Sequence, residues 1–259
     1  MQYRELIDNL WVMFCASLVF TMQIGFLCLE AGLTRTKNSI NVALKNVIDF
    51  GLISIIFWLY GFSLAFGPSI HGFIGHLSVI DFLGTDLSVG TFFIFEFMFA
   101  ATAITIISGS IAERIKFAGY LLVVLVVGTL VYPFVAHWAW AGVRSVPHGW
   151  LGIRGFVDFS GSAVVHVVAG ACSLALLFIL GPRSGRYSAN GKVNRLPASN
   201  LPLAMAGLLL LVLGWIGFNG GSLFHFNGRV PVIIANTVIA GCAAMIVATL
   251  IAYFLTAKW

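Results

Sequence analysis

The stretch Asp158-Phe-Ser-Gly-Ser-Ala-Val-Val-His166 sets an acid and an imidazole at the entrance of an apolar segment that runs on to Leu180. Charge and proton handling is the chemistry open to such a pair, since histidine changes charge near neutral pH. Inside a membrane a bare charge costs roughly 2.5 to 3.5 kcal/mol on insertion scales, which makes an ionisable group there a functional-site candidate. Aromatic walls accompany the pair. In Gly214-Trp-Ile-Gly-Phe-Asn-Gly-Gly-Ser222, steps of three and four place Trp215, Phe218 and Ser222 on one helical stripe, serving either packing or binding. Gly217, Gly220 and Gly221 thin that helix for a close approach. In Phe95-Glu-Phe-Met-Phe99 two rings lie one turn apart, and Glu96 shares their side, facing either a polar cavity or a partner helix. His137-Trp-Ala-Trp140 suits an interfacial aromatic belt.

The elements that must position these residues follow from composition. Charged residues are 9% of the chain and hydrophobic ones 60%, with a mean hydropathy of +1.01, against roughly 25% charged residues in soluble domains. The chain is therefore expected to be an integral membrane protein. Apolar runs long enough for a ~30 Å hydrocarbon core recur at about 8–33, 46–67, 89–110, 117–142, 161–181, 201–224 and 231–256. Arg35, Lys37, Lys45, Arg114, Lys116, Arg183, Arg186, Lys192, Arg195 and Lys258 fall on one side of these spans, and Arg4, Arg144, Arg154 and Arg229 on the other. The richer side is predicted to be cytoplasmic, with the N-terminus outside.

The net charge of +5 is thus a topology signal, and its dispersal over loops argues against nucleic-acid binding. Met-Gln-Tyr-Arg-Glu is not a basic signal-peptide start, and the first run is too long for a cleaved signal core. Cys15, Cys28, Cys172 and Cys242 read as buried small hydrophobes, with no metal-ligand spacing. With no nucleotide loop and no nucleophile motif, an enzyme is not expected, nor is any cofactor. A seven-helix retinal protein is excluded because no lysine lies in the last span to form a Schiff base.

Seven motifs occur in one order: Leu29-Glu-Ala-Gly-Leu-Thr-Arg-Thr-Lys-Asn38, Tyr60-Gly-Phe-Ser-Leu-Ala-Phe-Gly67, Ile111-Ala-Glu-Arg-Ile-Lys-Phe117, Asp158 to His166, Asn200-Leu-Pro202, Gly214 to Ser222, and Asn236-Thr237. In this order they resemble the ammonium transporter family, also called Amt, Mep and Rh, from Leu10 to about Ala257. The Glu-Ala-Gly and Arg-Thr-Lys-Asn forms are similar to the Amt branch.

The resemblance implies an all-α polytopic bundle of the inverted-repeat type, in which 8–181 is the first repeat, 182–200 a cytoplasmic loop and 201–256 the start of a second. The family has eleven helices, so seven are an incomplete set, and a chain of this length is expected to be unstable or inactive unless a second chain completes it. Ile24-Gly-Phe26 and Ile216-Gly-Phe218 would be an echo of the repeat. By the same resemblance, Phe99 and Phe218 are the stacked gate. Trp140, Ser222 and Phe99 form an external ammonium site, and His166 is the first of two pore histidines. Trp215 lines the pore, and Asp158 is the buried acid that supports cation recruitment without touching substrate.

Ammonium would be held weakly by aromatic faces and a hydroxyl, each cation-π contact contributing about 0.5 to 2 kcal/mol. It would then lose a proton and pass as ammonia through an apolar, histidine-lined lumen. A homotrimer in the cell membrane and a cytoplasmic regulatory protein are the implied partners. The alternative is an ammonium sensor, with the same fold followed by a signalling domain.

Overall fold

The computed structural model describes residues 2–80 and 86–256, and Lys258 lies outside them. Seven helices are long and apolar enough to cross a membrane: α1 Tyr3–Leu33, α2 Thr36–Phe66, α3 Leu87–Ile111, α4 Phe117–Trp140, α5 Ser162–Leu180, α6 Leu201–Gly221 and α7 Val230–Leu255. They are the seven expected spans. A short hairpin, β1 Ser69–Ile70 against β2 Ile74–Gly75, follows α2.

The second span differs most from expectation, beginning at Thr36 instead of about residue 46. Its first turns are polar, and hydropathy alone discards them. Several polar groups there find partners instead, so the helix continues. Asn38 donates to Glu113, Lys45 Nζ donates to the Ile115 carbonyl at 3.2 Å, and Asn46 Nδ2 donates to Glu30 Oε2 at 2.9 Å.

Helix α3 is the central post. It is the most thoroughly buried span, with Phe95, Phe99, Ala103, Ile107 and Ile111 all within the core. Helices α1 and α6 pack along each other through glycines. A Cβ on Gly25 would sit 2.9 Å from the Gly207 carbonyl oxygen, and one on Gly32 would sit 2.6 Å from that of Asn200. Without a hydrophobic drive in lipid, such backbone approach supplies van der Waals contact over the length of the pair. Helix α7 packs chiefly on α6, and its apolar outer face is exposed. Cys15 is buried as expected, whereas Cys242 lies on that exposed face of α7, and all four cysteines are free thiols.

At the end of the bundle that carries the 181–200 loop, the Glu113 side chain is shielded from solvent and joins three segments. It accepts Arg35 Nε at 2.7 Å and pairs with Arg183 Nη1 at 3.2 Å. Burial alone would raise its pKa, but hydrogen bonds from Arg35 and Asn38, with the charges of Arg35 and Arg183, outweigh burial and hold it below the usual carboxylate value. A carboxyl whose native pKa is depressed stabilises the fold above its unfolded value, and that stabilisation is lost as pH falls. Glu113→Gln is therefore expected to lower the Tm of the purified protein by a few degrees at pH 7. In a thermal-melt series the gap between variant and wild type closes as pH drops below about 4.

Candidate functional site

The site is built around the start of α5. Asp158 ends an extended approach, and its carboxylate collects three backbone N–H groups: Gly161 at 3.0 Å on Oδ1, with Ala163 at 3.1 Å and Val164 at 2.8 Å on Oδ2. Gly161 makes the bend with φ +88°, a left-handed conformation that favours glycine. The acid is thus the N-terminal cap of α5, negative where the helix dipole is positive.

The first turn of α5, Ser162–Val167, is wound wide, with i to i+5 hydrogen bonds, a form common at functional sites. The backbone N–H groups of Val165 and His166 both reach the Gly161 carbonyl, at 3.0 and 2.9 Å. His166 Nδ1 lies 3.0 Å from the same oxygen. A carbonyl can only accept, so Nδ1 is the donor and Nε2 is left free to receive a proton or a hydrogen bond.

Trp140, at the end of α4, donates Nε1–H to the Asp158 carbonyl at 2.7 Å and is buried. Its ring meets Phe99 of α3 edge to face at 6.0 Å. Phe99 stacks on Phe218 of α6 with centroids 4.0 Å apart and planes at 15°. The His166 ring stands nearly perpendicular to Phe218 at 5.9 Å. The two phenylalanines are only 1% and 3% exposed, so the stack seals whatever path runs between α3 and α6 at this level. Ser222, one turn beyond Phe218, donates to the Phe218 carbonyl at 2.7 Å, leaving its oxygen lone pairs as acceptors.

On the other face of Phe218 lies a cavity of about 450 Å³, lined among others by Ser160, His166, Trp215, Asn219 and Thr237. The Trp215 ring packs so closely on α7 that a Cβ at Gly241 would be 2.8 Å from it. Asn219 Nδ2 donates to Thr237 Oγ1 at 2.9 Å, tying α6 to α7.

Of the residues singled out from sequence, the structure joins Phe99, Trp140, Phe218 and His166 in one chain of ring contacts. Asp158 and Ser222 attach by hydrogen bonds, and Trp215 attaches through the shared cavity. The aromatic-belt reading of His137 and Trp140 does not hold. Both are buried, and His137 is pinned by Ser69 Oγ at 2.8 Å and by the Ala65 carbonyl at 2.9 Å. These partners sit on the loop and helix before α3, invisible to local spacing. Glu96 is buried, with the Arg144 guanidinium as the opposite charge acting on it.

A buried polar row between α1, α2 and α3 was not anticipated. Gln23 Nε2 donates to Thr102 Oγ1 at 3.2 Å, and Thr105 Oγ1 donates to Gln23 Oε1 at 2.9 Å. Glu30 Oε2 accepts from Asn46 and from Ser108 Oγ, both at 2.9 Å. The seven-residue step from Gln23 to Glu30, and the three-residue steps 102, 105 and 108, were the available signal. Among the described residues no group of three His, Cys, Asp or Glu side chains is placed to hold a metal.

Comparison with known proteins places this arrangement. The model of the Ammonium Transporter Family matches residues 10–259. A relative from Synechocystis sp. is 49% identical over 251 residues, covering 95% of this chain and 46% of the relative. The Archaeoglobus fulgidus protein named Ammonium transporter Amt2 is 40% identical over 97% of this chain and 55% of its own length. The solved structure titled Sensor Amt Protein superposes with a TM-score of 0.92 at 37% identity, covering 99% of this chain and 64% of that one. The chain thus spans about half the length of the curated relatives it matches. It belongs to the ammonium transporter family.

Proposed function

We propose that the protein carrying this chain transports ammonium across a cell membrane. Ammonium is recruited on the Asp158 side, deprotonated, and passed as ammonia through an apolar lumen. The observation that carries this reading is the Phe99–Phe218 stack at 4.0 Å, with Trp140 on one side and His166 on the other. A cation of ammonium's size meets two ring faces and the Ser222 oxygen before the stack, where cation-π attraction offsets part of its lost hydration. Beyond the stack the walls mix apolar surface with a few neutral polar groups and hold no carboxylate, so an intact cation would be poorly solvated. The free Nε2 of His166 is the group that can take up and hand on a proton. Asp158 acts at a distance, holding the helix that presents His166. Trp215 lines the lumen below.

On this reading residues 8–181 are one repeat and 201–256 the beginning of a second. The close α1 and α6 pair is then the meeting of corresponding helices. The excess of Arg and Lys beside the 181–200 loop supports that side as cytoplasmic and the N-terminus as external. A homotrimer with one lumen per subunit, and a regulatory protein on the cytoplasmic side, complete the proposal.

The test is charge movement on ammonium addition to proteoliposomes. His166→Ala is expected to abolish the transient current or convert it to potassium conduction, and an unchanged current would sink the relay. Ser222→Ala should weaken ammonium binding about fivefold to tenfold by isothermal titration, equivalent to about 1 to 1.4 kcal/mol.

The likeness to the structure titled Sensor Amt Protein favours a second reading, in which the same site reports occupancy to a signalling domain. Ammonium binding that Ser222→Ala weakens to the same extent, in a protein that carries no current, would select it.

A further inference from the structure

Glu30 is 7% exposed, and while Oε2 has two hydrogen bonds, Oε1 is buried with no partner. A carboxyl oxygen with no hydrogen-bond donor inside a membrane span is a costly feature to retain for packing alone. Oε1 is approached by Gly109, where a Cβ would stand 3.0 Å from it. The residue lines a cavity of about 340 Å³ whose walls include Phe26, Leu29, Ile106 and Ser110, with Arg183 at its rim.

The position of this cavity relative to the gate follows from helix geometry. Phe99, Thr102, Ile106 and Gly109 are spaced by three and four residues, so they share one face of α3. At 1.5 Å per residue, Gly109 lies about 15 Å below Phe99, toward the end of the bundle that carries the basic loop. The Glu30 cavity thus lies below the Phe99–Phe218 stack along α3, and Glu30 Oε1 is one of the buried carboxyl oxygens without a hydrogen-bond partner among the described residues.

The neighbouring charges have hydrogen-bond or ion-pair partners of their own, and Lys45 also acts on Glu30 through space. On α2, Lys45 Nζ donates to the Ile115 carbonyl at 3.2 Å and lies over the Tyr120 ring, while Asp49 accepts the Tyr120 hydroxyl of α4. Arg183 is paired with Glu113 at 3.2 Å. Helix α6, which packs on this end of α1, carries no titratable residue.

We infer that Glu30 is the inner proton-exchange group of the lumen, donating a proton from Oε1 to ammonia as it leaves the apolar path. In this step the ammonia lone pair forms a new N–H bond, the Oε1–H bond breaks, and its electron pair stays on the carboxylate. Ammonium leaves past the rim, and water from the basic side returns a proton to Oε1. Asn46 and Ser108 hold Oε2 throughout, which leaves Oε1 as the oxygen free of a hydrogen bond.

This inference rests on the transport reading, and the experiment separates the two. In proteoliposomes of the complete protein, wild-type ammonium flux should fall as internal pH rises and Glu30 loses its proton. Glu30→Gln should be at least tenfold slower at internal pH 7 and insensitive to internal pH, with binding at the Trp140 and Ser222 site unchanged within twofold. Gly109→Ala, which crowds Oε1 but leaves the bonds to Asn46 and Ser108, should slow flux without lowering Tm. Glu30→Asp should restore the pH dependence in part. A Glu30→Gln protein that keeps the wild-type internal-pH profile would overturn the assignment.

Infrared difference spectroscopy reads the site without transport. Ammonium should shift a protonated-carboxyl band in wild type that Glu30→Gln lacks. That band in a protein without flux would retain Glu30 as a proton site while rejecting transport, and an identical band in the variant would reject Glu30.

Discussion

Asp158→Ala is expected to destroy both the stability of the α5 entrance and any activity that depends on His166. The substitution leaves the N–H groups of Gly161, Ala163 and Val164 without the acceptor they share. A buried donor stranded in this way costs about 1 to 3 kcal/mol, so the three together amount to at least about 3 kcal/mol. The negative charge facing the helix N-terminus is lost as well. Damage spreads through two further bonds, because the Asp158 carbonyl holds Trp140 and the Gly161 carbonyl holds His166 Nδ1. Tm should fall by ten degrees or more, and flux should fall by at least a hundredfold.

Asp158→Asn keeps one acceptor oxygen and most of the shape, so it should retain a measurable fold with strongly weakened function. The comparison that checks this is a melt and a flux assay on all three proteins. An alanine variant that melts like wild type would show that the loop is held by contacts other than the carboxylate.

The second large effect is expected at Gly217. A Cβ there would fall inside the van der Waals envelope of the Cys15 carbonyl and 2.7 Å from Leu18 Cβ, both on α1. A leucine must therefore push α1 and α6 apart, and overpacking of this kind costs about 3 kcal/mol or more when the neighbour is backbone. Gly217 also precedes Phe218, so separating the helices pulls the Phe218 ring off Phe99. Gly217→Leu should give little folded protein, and what folds should have an open gate. Gly51→Leu is the control, since a Cβ at Gly51 meets nothing within 4 Å and should leave the melt within a degree or two. Equal losses at both positions would mean that leucine is tolerated equally badly anywhere in the bundle, and the close α1 and α6 approach would not be the cause.

Much of this was legible before any coordinates. Each of the seven spans is an apolar run written in consecutive residues, and the helical period placed Trp215, Phe218 and Ser222 on one stripe. The motifs placed the chain in its family, which the match over residues 10–259 bears out. The start of α2 was missed because its polar turns are stabilised by Glu113, Ile115 and Glu30, partners on other segments. The belt alternative for His137 and Trp140 fell for the same reason, since an aromatic belt and a buried aromatic cluster have the same local spacing.

The sequence by itself determined the solvent of the fold, the number and order of its spans, and the residue types available for chemistry. These follow from hydropathy and from the 3.6-residue period, which act over neighbours along the chain. Only the tertiary structure decided that Phe99 and Phe218 close on each other. It likewise decided that Asp158 works as a helix cap, that Nδ1 of His166 is the occupied nitrogen, and that one oxygen of Glu30 is left open. Each of these depends on which helices touch. In a bilayer that choice is made by glycine-scale steric fit and by the pairing of a few buried polar groups, neither of which has a period to read.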